Sequence, residues 1–205
     1  MAAALTVVST TVMAQTSYPW MDTSKSFRER AELLCRELTL REKVDQLGNN
    51  VSEPIKRDGQ VILPSYQYWN EALHGVARSG AATSFPESKG MSATWDEMLV
   101  RACAEAISDE ARIYHETKGK GLNYWSPTIN MARDPRWGRE EENYGEDPLL
   151  AGRLAVEFIK GFQGEITPAT PYYKLVACAK HFAANNYEQG RQSTTSFVTE
   201  KNMRE

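Results

Sequence analysis

Apolar residues recur at helical spacing early in the chain. Phe27, Ala31, Leu34 and Leu38 fall at i, i+4, i+7 and i+11, which is one face of a helix. Thr39-Leu-Arg-Glu42 has the spacing of a capping box, so a second helical segment starts there. Leu40, Val44 and Leu47 line one side of it, and Gly48 is a natural stop. Val61-Ile-Leu63 is a short strand candidate, followed by an aromatic-rich loop. Thr94-Trp-Asp-Glu97 is another capping box, predicting a helix of about twenty residues that ends near Gly119. Residues 121–126 read as a strand, and Asp147-Pro148 opens a further helix with Pro at a favoured first position. Leu150, Leu154, Phe158 and Phe162 form its buried stripe, and Gly164 closes it. Lys174-Leu-Val-Ala-Cys-Ala179 is a continuous apolar run, as expected of a buried parallel strand. A last helix starts after Thr199.

Strands alternating with helices of this length imply βαβ units and a parallel sheet. The chemically notable residues, Glu71, the run from Arg133 to Arg139, and Lys180-His181, each come just after a strand candidate. In a (β/α)8 barrel that is the face where active sites form. The expected fold class is α/β, an incomplete (β/α)8 TIM-type barrel. A whole barrel needs about 250 residues, and this chain has 205. Residues 15–205 are therefore expected to be the N-terminal part of such a barrel, cut at the C-terminus.

Composition narrows the partners. Lys+Arg 24 against Asp+Glu 27 gives a net charge of -3, which offers no footprint for nucleic acid or an anionic membrane. Mean hydropathy is -0.54, and no run approaches a membrane span. Cys35, Cys103 and Cys178 are dispersed and odd in number, so they read as buried small hydrophobes rather than disulfide partners. His74, His115 and His181 lack metal-ligand spacing, and no metal or cofactor is implied. Residues 1–14 resemble the apolar region and cleavage site of a signal peptide without its basic start, so export to a periplasm or outside the cell is expected. The bland alternative is an apolar tail.

Three segments carry candidate chemistry. The longest runs Asn123-Tyr-Trp-Ser-Pro-Thr-Ile-Asn-Met-Ala-Arg-Asp-Pro-Arg-Trp-Gly-Arg139 and on to Pro148, a loop dense in Arg, carboxylate, Trp and Gly. Arg offers a planar donor fork, Trp an apolar face, and carboxylates hold the Arg in place, a composition suited to a polyhydroxylated ligand. Trp69-Asn-Glu-Ala-Leu-His-Gly75 and Lys180-His-Phe-Ala-Ala-Asn-Asn186 complete the set. Each has a structural alternative. Lys180 could reach solvent from a strand end beside a core His181, and Arg133, Asp134, Arg136 and Glu140 to Glu142 could form an ion-pair network. Glu71 reads as a helical-turn carboxylate with His74 at i+3, and Trp69, Trp125 and Trp137 fit a core as readily as a sugar platform.

Together, in this order, the segments resemble glycoside hydrolase family 3 on its β-xylosidase and β-glucosidase side, over about residues 18–205. The Arg-Asp-Pro-Arg-Trp-Gly-Arg run and Lys-His-Phe are the specific parts. The resemblance implies that Glu71, Arg139, Lys180 and His181 bind hydroxyls of the sugar whose bond is cleaved, with Arg133 bracing the loop. It also implies a retaining exo-acting β-glycosidase using two carboxyl groups about 5–5.5 Å apart. The family's nucleophilic Asp and acid/base Glu are expected beyond Glu205, so no catalytic residue is assigned within the chain and the 205-residue piece is expected to be inactive alone.

Two departures bear on the substrate. Members that cleave β-glucosides typically carry Asp where this chain has Glu71, and the longer side chain would enter space otherwise filled by a hexose hydroxymethyl group. A pentose such as xylose is then preferred, by about 1–3 kcal/mol for one methylene. The continuation Ala183-Ala-Asn-Asn186 replaces the Pro-Gly-His-Gly of the N-acetylglucosaminidase branch. The expected substrate is a small oligosaccharide or β-glycoside. The alternatives are a β-glucosidase of the same family and a non-catalytic carbohydrate-binding protein on a degenerate barrel.

Overall fold

The computed structural model describes residues 18–204. The signal-peptide-like segment 1–14 lies outside the described residues. Two compact units result, one from the described residues up to Leu47 with Pro54–Pro64, the other from Gly48–Glu53 with Ser65 onward.

In the first unit, α1 (Phe27–Glu37) is opened by Ser26, whose hydroxyl accepts from the Glu29 N–H while the Glu29 carboxylate accepts from the Ser26 N–H. This Ser-x-x-Glu box is present in the sequence, and apolar periodicity alone does not place it. The box predicted at Thr39 and Glu42 is present and opens α2 (Leu40–Asp45). Strands β2 (Ile55–Arg57) and β3 (Gln60–Leu63) form an antiparallel hairpin. Trp20, Leu38, Ile55 and Ile62 are its core, with Leu33 and Leu34 against them. The rest of the predicted stripe is exposed: Phe27 by 61%, Leu40 by 78% and Leu47 by 83%. Periodicity identifies an apolar face, but a core of four side chains and a six-residue α2 cover only the C-terminal end of α1.

The second unit is built on two packed helices. α4 (Glu97–Lys118) buries Val100, Cys103, Ala104, Ile107, Ala111 and Tyr114 along one stripe. Its cap differs from the expected Thr94 box. Asp96 is the N-cap, its carboxylate accepting from Leu99 N–H at 3.0 Å, while Thr94 Oγ1 donates to Met91 O at 2.7 Å. A carboxylate one residue before the helix both reaches an orphan N–H and complements the helix dipole. Gly119, at φ 65°, ends α4 in the left-handed conformation. α5 (Pro148–Gln163) starts at its Asp147 cap with Pro148 in the first turn, and buries Leu154, Phe158 and Phe162. Gly161 lets the two helices touch, since a Cβ there would lie 2.4 Å from Arg101 O.

Strands β1 (Val51–Ser52) and β4 (Tyr66–Gln67) pair antiparallel, whereas β5 (Asn123–Tyr124) and β6 (Val176–Ala177) pair parallel, with α5 as the crossover. Residues 68–72 run alongside β5 in the same direction: Asn123 Nδ2 donates to Tyr68 O, Trp125 N–H to Asn70 O at 2.8 Å, and Ala72 N–H to Ser126 Oγ at 3.2 Å. Beyond β6, Thr128 and Lys180 form a parallel bridge. The run from Lys174 to Ala179 was expected to be buried throughout. Leu175 is fully buried, but Val176 is 40% exposed and Cys178 is exposed. The hydrogen bonds of β6 lie to β5, and the alternating pleat turns Leu175 inward and its neighbours outward. Cys35 is likewise exposed, leaving Cys103 alone as the buried small hydrophobe expected of all three. α3 (Ser88–Ser92) and α6 (Glu200–Arg204) are single-turn elements. Among the described residues no helix is long and apolar enough to cross a membrane.

Candidate functional site

Glu71, Trp125 and Lys180 sit where the three parallel segments end. Glu71 is extended rather than helical, because Asn70 O and Ala72 N–H bond to the end of β5 on either side of it, and its own carbonyl accepts from Ala77 N–H at 2.9 Å. Its carboxylate accepts from Trp69 Nε1 at 2.9 Å through Oε1 and from Lys180 Nζ at 3.0 Å through Oε2. Lys180 is only 8% exposed, so it does not reach solvent from the strand end. A buried ammonium needs a charged partner, and Glu71 is that partner.

Arg139 begins a 3-10 turn, Glu140–Glu142. Glu142 binds one edge of its guanidinium in a bidentate pair, with Nε to Oε1 at 2.8 Å and Nη2 to Oε2 at 2.5 Å. Arg139 Nη1 lies 3.1 Å from His181 Nε2. A guanidinium only donates, so Nε2 accepts and the ring proton sits on Nδ1. The other end agrees. Asn130 Oδ1 receives the His181 backbone N–H at 3.1 Å, which fixes the amide orientation, and it also receives Nδ1–H at 2.9 Å. Burial, then the positive charges of Arg139 and Lys180, lower the His181 pKa to about 4, which keeps the ring neutral. The Arg139 guanidinium is pushed further up, chiefly by its bond to Glu142. Burial opposes ionisation of Glu142, but Arg139 prevails and holds it below its ordinary value.

All four candidate residues, Glu71, Arg139, Lys180 and His181, open onto one hollow of about 1250 Å³. Arg133 does not. It borders a separate hollow with Glu146 and Pro148, and its Nη2 donates to Asn202 O at 3.4 Å. The anticipated ion-pair network divides in the same way. Arg136 folds back on Asp134 at the surface, Glu140 holds Lys89 at 2.9 Å, and Glu141 and Glu142 line the hollow, Glu142 as the partner of Arg139. Of the tryptophans, Trp137 is core at 3% exposure, whereas Trp69 and Trp125 line the hollow with ring centroids 5.8 Å apart. Arg78 lies 5.0 Å over the Trp69 ring. Sequence reasoning missed Asn130 and the Trp69 indole as partners of the site. Neither has a spacing signal, because both bond across long sequence separations or along irregular backbone.

Fold and site define an α/β domain with a charged, aromatic-walled hollow at the ends of its parallel strands. Residues 35–205 match the family model described as the glycosyl hydrolase family 3 N terminal domain, and the chain belongs to that family. It is 42% identical over 182 residues to the exo-1,4-beta-xylosidase bxlB of Emericella nidulans, covering 83% of this chain and 23% of that protein. It is 36% identical over 204 residues to beta-xylosidase/alpha-L-arabinofuranosidase 2 of Medicago sativa subsp. varia, covering 93% and 26%. The chain thus spans about a quarter of the length of these relatives. A solved GH3 exo-beta-xylosidase (XlnD), in complex with a xylobiose aziridine probe, superposes with a TM-score of 0.72 at 36% identity, covering 83% of this chain and 22% of that one. DesR, a beta-glucosidase from Streptomyces venezuelae in complex with D-glucose, superposes with a TM-score of 0.68 at 29% identity, covering 86% and 22%.

Proposed function

We propose that the chain is the sugar-recognising part of a retaining exo-β-glycosidase, most directly a β-xylosidase. The observation that carries this reading is the convergence of Glu71, Arg139, Lys180 and His181 on a single hollow. The names of the similar proteins, xylosidases and a glucosidase, support the reaction class. The three parallel segments, with helices between them and polar residues at their ends, support reading residues 15–205 as the N-terminal part of a (β/α)8 barrel. The apolar stretch 2–14 supports export.

In this reading Glu71 accepts from sugar hydroxyls, and Lys180 and Arg139 donate to them. Arg139 has five N–H donors, and the bonds to Glu142 and His181 use three, leaving two for a ligand. Arg133 steadies the loop through Asn202 rather than touching sugar. Bond cleavage with retention needs two carboxyl groups about 5–5.5 Å apart. We assign neither role within the chain: Glu71, Glu142 and Glu188 are each committed to a cation, Glu87 lies against His74, and Glu141 lines the hollow on the same turn as Glu142. The nucleophile and the acid/base belong to the rest of the whole protein.

Glu71 in place of Asp favours a pentose, because its longer side chain occupies the space of a hydroxymethyl group. The test is hydrolysis of paired aryl β-xyloside and aryl β-glucoside by the complete protein and its Glu71→Asp variant. The expected outcome is a xyloside preference that moves toward glucoside by about 1–3 kcal/mol in the variant. An unchanged ratio removes Glu71 from this role. Sugar binding without turnover of either substrate would instead identify a non-catalytic carbohydrate-binding protein.

A further inference from the structure

The loop that follows Glu71 is folded around His74. Ring Nδ1 lies 2.8 Å from Phe85 O, and Phe85 N–H donates to His74 O at 2.8 Å, so side chain and backbone close a clasp between residues 74 and 85. Gly75, at φ 148°, makes the turn, since a Cβ there would stand 2.3 Å from Thr83 O. The far limb is tied to α4, where Thr83 N–H and Oγ1 donate to the Glu110 carboxylate at 3.0 and 2.6 Å. The near limb returns to Glu71 through the Ala77 N–H.

His74 Nε2 lies 3.0 Å from Glu87 Oε1. Phe85 O only accepts, so the proton on Nδ1 is committed there. A neutral ring then has a bare Nε2, and an ionised Glu87 has no proton either, so two lone pairs would face each other. The contact is a hydrogen bond only when one further proton is present, on the ring or on the carboxyl. Burial pushes the Glu87 carboxyl up; His74 opposes this, and the Glu142 and Glu141 carboxylates reinforce it. Of the cations that line or border this hollow, Lys89 is paired with Glu140, Lys180 with Glu71, Arg139 with Glu142 and Arg191 with Glu188, while Arg78 lies over the Trp69 ring. Glu87 Oε2 is buried and has no hydrogen-bond partner among the described residues.

We propose that His74 is a positioning residue for Glu71, held in place by a single proton that it shares with Glu87. The proposal rests on the reading of Glu71 as the sugar-binding carboxylate. As pH rises and the proton leaves, Nε2 and Oε1 separate, the clasp opens, and Glu71 shifts away from Lys180. Sugar affinity then falls with rising pH.

Trp69 reports this directly, because its indole N–H donates to Glu71 Oε1 at 2.9 Å. The experiment follows the Trp69 indole and the His74 ring nitrogens by NMR, from mildly acid to alkaline pH, in the wild type and in Glu87→Gln. The glutamine amide donates to a bare Nε2 and does not titrate. In the wild type the Trp69 and His74 resonances should shift together over the same pH interval; in Glu87→Gln the Trp69 resonance should stay at its low-pH position throughout. A wild-type Trp69 resonance that stays fixed while the His74 ring signals move overturns the proposal, as does a Glu87→Gln profile identical to the wild type. If the resonances behave as expected but added xylose moves none of them, the positioning of Glu71 stands and the sugar-binding reading fails.

Discussion

At the scale of single residues, the site is two linked pairs of charges and one neutral ring. Lys180 and Glu71 are both largely shielded, with side chains 9% and 18% exposed. Removing one partner strands the other charge, so Lys180→Met should cost about 3 kcal/mol or more in urea unfolding. The double variant Lys180→Met/Glu71→Gln should recover most of that loss; if it does not, the cost lies in packing rather than charge. His181 titrates in the folded chain at about 4, against a free value of 6.5. Between those values the unfolded chain binds a proton that the folded chain refuses, so stability falls as pH drops from 6.5 toward 4. Ring-nitrogen NMR should find Nδ1 protonated and Nε2 bare at neutral pH, with the titration step near 4. A step at the free value would mean that the ring is neither buried nor faced by Arg139. The sequence singled out all four ligand candidates, because each stands in a short motif. Glu142 could be named there only as one of several carboxylates, since nothing in one dimension says which of them the Arg139 fork will meet.

At the scale of elements, α4 and α5 make the core, and one glycine decides how closely. Gly161→Ala drives a methyl group into the Arg101 carbonyl and should destabilise by about 1–3 kcal/mol. Gly152→Ala, on the same helix with nothing within 4 Å, should stabilise by about 0.5–1 kcal/mol through reduced backbone freedom. Thermal unfolding of the two variants checks both, and like-signed shifts would show that the helices do not touch at Gly161. The stripe of α5 and the left-handed stop of α4 were legible because helix period and capping are local. The start of α4 was misread: two candidate caps lie two residues apart, and only the folded backbone decides that Asp96 reaches the free N–H.

At the scale of the whole molecule, order should be uneven. α1 and α2 have no buried residue, whereas α4 and α5 bury a continuous stripe each. In hydrogen exchange the amides of α4 and α5 should open with the highest free energies, and those of α1 and α2 with the lowest. Xylose should add protection around residues 69–78, 139–142 and 180–181 and leave α1 and α2 unchanged. Uniform exchange across the four helices would contradict the burial pattern.

From the sequence come the helices α1, α2, α4 and α5 and the grouping of polar residues in motifs, whereas the turn of α3 and the extended backbone at Glu71 do not. Those helices and motifs follow from local backbone preferences and short periods. Tertiary structure alone decided that Glu71 meets Lys180 across 109 positions, that His181 is neutral between Arg139 and Asn130, that Arg133 faces elsewhere, and that Cys35 and Cys178 are exposed. Those outcomes depend on which chain segments lie side by side, and burial and charge act through space rather than along the chain.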